Sequence, residues 1–188
     1  NYNFRGWEEP NAVQVNEPGR AHDAANYFRV NPHRLHLGYI RLELTNESGE
    51  KLKAENIKSI QQELQLWDGI IDSHFSIGTD TANVKTAVHP GKDRLAVALH
   101  SPMIGKGTMK VNLRFPYPSG GHSDDATDWN SPQKHKTEIL SQNESTFILK
   151  RTLDSTVYYV TVNYVGKALL TEKAPHYFII TPESNDFQ

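Results

Sequence analysis

Residues Met109 to Leu140 read MKVNLRFPYPSGGHSDDATDWNSPQKHKTEIL, and the fold turns on how this stretch is divided. Met109, Val111, Leu113 and Phe115 alternate with polar residues, and the alternation resumes at Ile139, Phe147 and Leu149. A period of two marks half-buried β-strands. Between these runs, Phe115 to His135 has neither a strand nor a helix period. It holds three prolines, two adjacent glycines, three aspartates, two histidines, Tyr117 and Trp129. Structureless loops longer than about 12–15 residues are uncommon in compact domains and are functional or disordered. The rings and prolines here speak against disorder. The stretch therefore reads as a long ordered loop on a rigid β scaffold, shaped to face a polar partner.

The 188-residue chain is 37% hydrophobic and 22% charged with a formal net charge of −2, the composition of an ordinary globular domain. A chain of this length buries roughly 70% of its unfolded surface and needs no staples. Near-neutral charge argues against a nucleic-acid binder, which needs a Lys/Arg excess to neutralise phosphates. No apolar run is long enough to span a bilayer as a helix. The absence of cysteine removes thiol chemistry, thiolate metal sites and disulfides while leaving the compartment open. The first residue is Asn1 rather than Met and no signal peptide is visible, so a processed or trimmed chain is expected.

Outward from the loop, residues 1–31 carry Tyr2, Phe4, Trp7, Tyr27 and Phe28 without a period, an irregular lead-in with a short helical turn around Ala21 to Tyr27. Trp7 reads as a packing anchor. Asn31-Pro32-His33-Arg34 forms a tight polar turn, with Arg34 available to a carboxylate. In the strand that follows, Tyr39, Arg41 and Glu43 share one face and Ile40, Leu42 and Leu44 the other, while Gly38 signals a bulge or a close backbone approach. Two strands hinge at Asp68-Gly69. Val84 to Val88 and Leu95 to Leu99 follow, then a turn at Ile104 to Thr108, then Met109 to Phe115. After the loop come Lys136 to Leu140, Thr146 to Thr152, Thr156 to Tyr164 and Tyr177 to Thr181. About ten strands at regular spacing predict a single all-β domain, a two-layer antiparallel β-sandwich. The final TPESNDFQ reads as a polar fray, the start of a linker over residues 182–188.

Several chemistries are excluded by spacing. Gly105 to Thr108 (GKGT) lacks the phosphate-loop frame and joins two strands, so it reads as a hairpin turn. Neither a GxSxG elbow nor an HExxH zinc motif occurs. His33 and His36 point to opposite faces if extended. His122, Asp124, Asp125, Asp128 and His135 match no EF-hand or zinc spacing, and a solvated acidic turn is the simpler account. No metal or cofactor is expected. Asp128 beside Trp129 is the pair a sugar needs, a ring for C–H faces and a carboxylate for hydroxyls. Trp129 could equally plug the loop onto its own sandwich, and the sequence leaves both open. Glycoside cleavage needs two carboxyl groups flanking the bond, one held in an apolar pocket, and the loop offers no such pocket.

Six stretches together resemble one family: residues 31–44 (NPHRLHLGYIRLEL), 62–75 (QELQLWDGIIDSHF), 84–107 (VKTAVHPGKDRLAVALHSPMIGKG), 111–120 (VNLRFPYPSG), 126–132 (ATDWNSP) with His135, and 156–164 (TVYYVTVNY). They are similar to the N-terminal β-sandwich domain of six-hairpin glycosidases, allied to glycoside hydrolase family 65. The resemblance spans roughly residues 27 to 181 and rests on the order of short motifs. It implies a supersandwich (galactose mutarotase-like) domain seated against a C-terminal (α/α)6 barrel of the same polypeptide, exported to the periplasm or outside. In such proteins the barrel carries the catalytic carboxylates, so no catalytic residue is expected here. The resemblance implies Tyr117, Asp128, Trp129 and His135 as carbohydrate contacts and Phe115 at the domain interface, where Trp7 as an anchor and Arg34 as a carboxylate partner are also expected. It makes Trp67 and Gly69 part of the sandwich's own hairpin framework. The expected function is a non-catalytic accessory domain walling a carbohydrate cleft, without nucleic-acid or membrane partners. A free-standing carbohydrate-binding module and a purely structural sandwich are the alternatives.

Overall fold

The computed structural model describes residues 19–29, 35–120 and 124–188. Trp7, His33, Arg34 and His122 lie outside them. The chain divides into two compact units, Asn1–Leu37 with Pro116–Ser131, and Gly38–Phe115 with Pro132–Gln188. In the first unit, helix α1 (Arg20–Arg29) realises the helical turn expected near Ala21. It buries Ala25 and sets Tyr27 edge-on to Phe28, their ring centres 5.6 Å apart.

The second unit is all-β. Its twelve strands are β1 (Tyr39–Leu44), β2 (Ile57–Gln65), β3 (Ile70–Ile77), β4 (Asp80–Val88), β5 (Leu95–His100), β6 (Met109–Arg114), β7 (His135–Gln142), β8 (Thr146–Leu153), β9 (Thr156–Asn163), β10 (Ala168–Ala174), β11 (Tyr177–Pro182) and β12 (Asp186–Phe187). They form antiparallel sheets in the orders β1-β6-β11-β10, β12-β5-β4-β3-β2 and β7-β8-β9. The period of two explains the sidedness. Met109, Val111 and Leu113 face the core while Lys110, Asn112 and Arg114 take the other face of β6. β8 is the clearest case, with Phe147, Leu149, Arg151 and Leu153 buried in strict alternation. Side chains from all three sheets meet in one core, including Met109 and Phe178, Ala82 and Leu99, and Phe147 and Leu149. Each large side chain so buried contributes about 1.5–3 kcal/mol. The structure is thus an all-β antiparallel sandwich, as the alternation predicts.

Four local expectations change. The Ile104–Thr108 segment is not a hairpin turn, because β5 and β6 belong to different sheets. Ser101 caps a short helix, α2 (Pro102–Gly105), accepting from Met103 N at 3.2 Å with Pro102 at the first helical position, and this turn carries the chain across. Residues 182–188 are not a fray. Phe187 is buried in the core, β12 pairs with β5, and Val165 N donates to Gln188 O at 2.9 Å. β10 has no counterpart among the strands read from sequence. Finally, Trp67 is 99% exposed and frames nothing, although Gly69 does take the positive φ of 66° that the turn requires. Gly38 behaves as its position suggested. It sits at φ 140°, and a Cβ there would meet the Phe115 ring at 2.7 Å.

Candidate functional site

The long loop is closed at its neck. Tyr117 and Asp128 form an isolated antiparallel bridge, with Tyr117 N donating to Asp128 O at 3.1 Å and Asp128 N to Tyr117 O at 2.7 Å. Its aspartates are occupied in shaping the backbone. Asp124 Oδ1 accepts from Ala126 N at 3.0 Å, Asp125 Oδ1 accepts from the Thr127 hydroxyl at 2.7 Å, and Asp128 Oδ1 accepts from Asn130 N at 2.9 Å. Short Asp side chains favour such self-made turns. Ala126 is held buried at a positive φ of 61° between them. Among the described residues no group of three or more His, Asp or Glu side chains could hold a metal. Trp129 keeps 36% of its surface open and Tyr117 is half-buried. Tyr117, Asp128 and Trp129 belong to the first unit, whereas Phe115 and His135 belong to the second.

His135 opens β7 and enters a buried network that sequence reasoning missed. Arg151, fully buried on β8, donates from Nη2 to His135 Nδ1 at 2.6 Å and from Nη1 to Thr137 Oγ1 at 2.5 Å. The Thr137 hydroxyl donates in turn to His176 Nδ1 at 2.7 Å, and His176 Nε2 donates to Pro132 O at 2.8 Å. The two imidazoles stack with centres 3.7 Å apart. Each bond fixes a tautomer: His176 carries its proton on Nε2, and neutral His135 must do the same because Nδ1 faces a guanidinium. Burial, reinforced by the charge of Arg151, pushes the His176 pKa below the usual imidazole value against the opposing Pro132 hydrogen bond. Burial likewise lowers that of Arg151. His176 adopts φ 62° in the two-residue turn between β10 and β11. Pro175 before it supplies the fixed φ of a type II turn, whose next position normally wants glycine. The dipeptide Pro175-His176 was the available signal. This cluster ties the β10–β11 turn to the three-stranded sheet and holds no substrate-facing acid.

A third feature lies at the far end of the five-stranded sheet. By register, Leu64 opposes Ile71, Thr86 opposes Val97 and Val88 opposes Leu95. These residues share a face with the core side chains Phe75, Val84 and Leu99, two or more residues beyond the point where the core ends. Leu64, Val88 and Leu95 are exposed, and the β2–β3 turn adds Leu66 at 81% and Trp67 at 99%. Monomers rarely expose contiguous apolar patches of this kind unless something binds there.

No protein-family model matches this chain, and no curated protein matches it.

Proposed function

We propose that this chain is a non-catalytic accessory domain that docks, through the uncovered apolar end of its five-stranded sheet, onto a helical catalytic domain of the same polypeptide. The observation that carries the reading is Trp67 standing 99% exposed beside exposed Leu66, in the turn at the end of a sheet whose apolar face is core elsewhere. An aromatic anchor of about 150–250 Å², clustered with aliphatic neighbours, is what interface hot spots are made of. The ordered motifs of residues 31–164 support a carbohydrate-active enzyme of the six-hairpin glycosidase type as the parent, with an (α/α)6 barrel as the docked domain. On that reading the loop bearing Tyr117, Asp128 and Trp129 helps wall the sugar cleft, Phe115 and the His135 cluster brace the scaffold, and the protein works outside the cytoplasm. A free-standing sugar-binding module is favoured instead only by the open third of Trp129. Titration with oligosaccharides, following fluorescence with and without Trp129→Ala, separates the two.

The docking test is a stability comparison. Replacing Leu66 and Trp67 by Ser leaves the melting temperature of the isolated chain unchanged, because neither side chain is buried in it. The same change in the intact gene product lowers the stability of the assembled protein by about 2 kcal/mol or more. An equal effect in both, or a reading frame encoding no helical repeat after Gln188, overturns the proposal.

A further inference from the structure

On the solvent side of the four-stranded sheet, opposite the core, the structure holds a cup of about 230 Å³ lined by Arg41, Glu43, Lys51, Asn112, Arg114 and Tyr177. It is smaller than the sites that take drug-sized ligands, which start at about 300 Å³, and matches a ligand of one sugar ring. Its floor comes from strand register: Arg41 sits opposite Asn112, and Arg114 lies between Tyr39 and Tyr177. Its rim comes from the turn after β1. There Asn46 clamps Glu50 from side chain and backbone, and Leu52 N returns to Leu44 O at 3.0 Å, fixing Lys51 over the end of the strand.

Two observations indicate that this cup is made for a ligand. The first is Asn112, only 7% exposed, whose Oδ1 is buried without a hydrogen-bond partner among the described residues. An unmet buried acceptor is costly, and native structures retain few of them. The second is the charge balance. Arg41 and Lys51 stand against the single carboxylate of Glu43, leaving positive charge in excess. Glu43 is moreover partly neutralised from outside the cup, Lys173 Nζ lying 2.8 Å from its Oε1, and Tyr177 donating its hydroxyl to Oε2. Burial, this hydrogen bond and the carboxylate charge push the Tyr177 pKa up to about 12, so the phenol stays protonated and remains a donor. Arg41 makes no ion pair among the described residues, and its guanidinium lies 4.0 Å over the Tyr39 ring, which holds its plane in place. Ring-backed guanidinium groups keep their N–H edges for planar, bidentate acceptors.

We propose that this cup binds a hydroxylated carboxylate, of which a uronic acid is the ring form and an aldonic acid the open-chain form. The carboxylate pairs with Arg41 and Lys51, and a hydroxyl of the same molecule donates to Asn112 Oδ1. A neutral sugar would leave the cations unpaired. Acetate, a carboxylate without a hydroxyl, would leave Asn112 unmet. The site is independent of the apolar docking end, so either proposal can fail alone.

Calorimetric titration of this chain with D-glucuronate, D-gluconate, D-glucose and acetate tests it. Saturable binding of glucuronate or gluconate in the millimolar range or tighter is expected, with glucose and acetate each at least about tenfold weaker. The stronger of the two acids identifies ring or open-chain ligand. Arg41→Ala, a substitution at an exposed position, weakens binding about tenfold or more, and Asn112→Asp does the same by placing a like charge against the ligand. Absence of saturable binding by both acids overturns the proposal. So does glucose or acetate binding as tightly as they do, or an unchanged affinity in folded Arg41→Ala.

Discussion

At the scale of single residues, His176 concentrates more physical constraint than any side chain chosen from the sequence. It holds a positive φ that costs a β-carbon-bearing residue about 1–3 kcal/mol, and it remains because both ring nitrogens are satisfied. Its lowered pKa sets a sign for pH dependence. The unfolded chain takes up the proton first as pH falls below the usual imidazole value near 6.5, so the stability is complete above that pH and lost below it. Thermal melts between pH 7.5 and 5 should therefore show a falling melting temperature on acidification. His176→Asn, which tolerates the left-handed backbone, should flatten that slope while lowering the plateau. Gly38 allows a second residue-scale prediction. Gly38→Ala drives a methyl into the Phe115 ring and forces a strained backbone, and chemical denaturation should show a loss of about 2 kcal/mol or more. Both positions show what the sequence does and does not carry. Gly38 was legible because glycine inside a strand has few reasons to be there. The Arg151 network was not, because its members come from residues 135–137, 151 and 176, and no local period brings them together.

At the scale of elements, the strands announced themselves wherever one face was buried and the other wet. The β8 run of Phe147, Leu149, Arg151 and Leu153 even hides a cation at an apolar position without breaking the pattern. β10 escaped because Leu169 and Leu170 are adjacent and its second half is polar and exposed, so neither period dominates. β12 escaped because a two-residue strand has no period at all, and Phe187 looked like an isolated apolar residue in a polar tail. Burial of Phe187 in the common core makes a prediction that a fraying tail would not. Phe187→Ala should cost about 3–5 kcal/mol in denaturant unfolding, although it is the penultimate residue. The loop between Phe115 and His135 was legible as a break between strands. The division of labour among its aspartates was not, since a carboxylate that closes an Asx turn and one that faces a ligand have the same letter.

At the scale of the whole molecule, the sandwich gathers its three sheets on one common core but leaves part of a sheet face exposed. The apolar face of the five-stranded sheet runs on past its core into Leu64, Val88, Leu95 and the Leu66-Trp67 turn. A hairpin of this kind costs solubility and offers no internal packing in return, which is why it is assigned to a docked partner. The sequence marked Trp67 as part of a motif but could not show its direction, because Trp at a turn is equally compatible with inward plugging and outward presentation. Acrylamide quenching of Trp67 fluorescence, in a variant carrying Phe at Trp7 and Trp129, tests the docking claim most directly. Free quenching and red emission in the isolated chain, with quenching suppressed and emission shifted to the blue in the intact gene product, is the predicted result. Equal quenching of Trp67 in the two forms would contradict it.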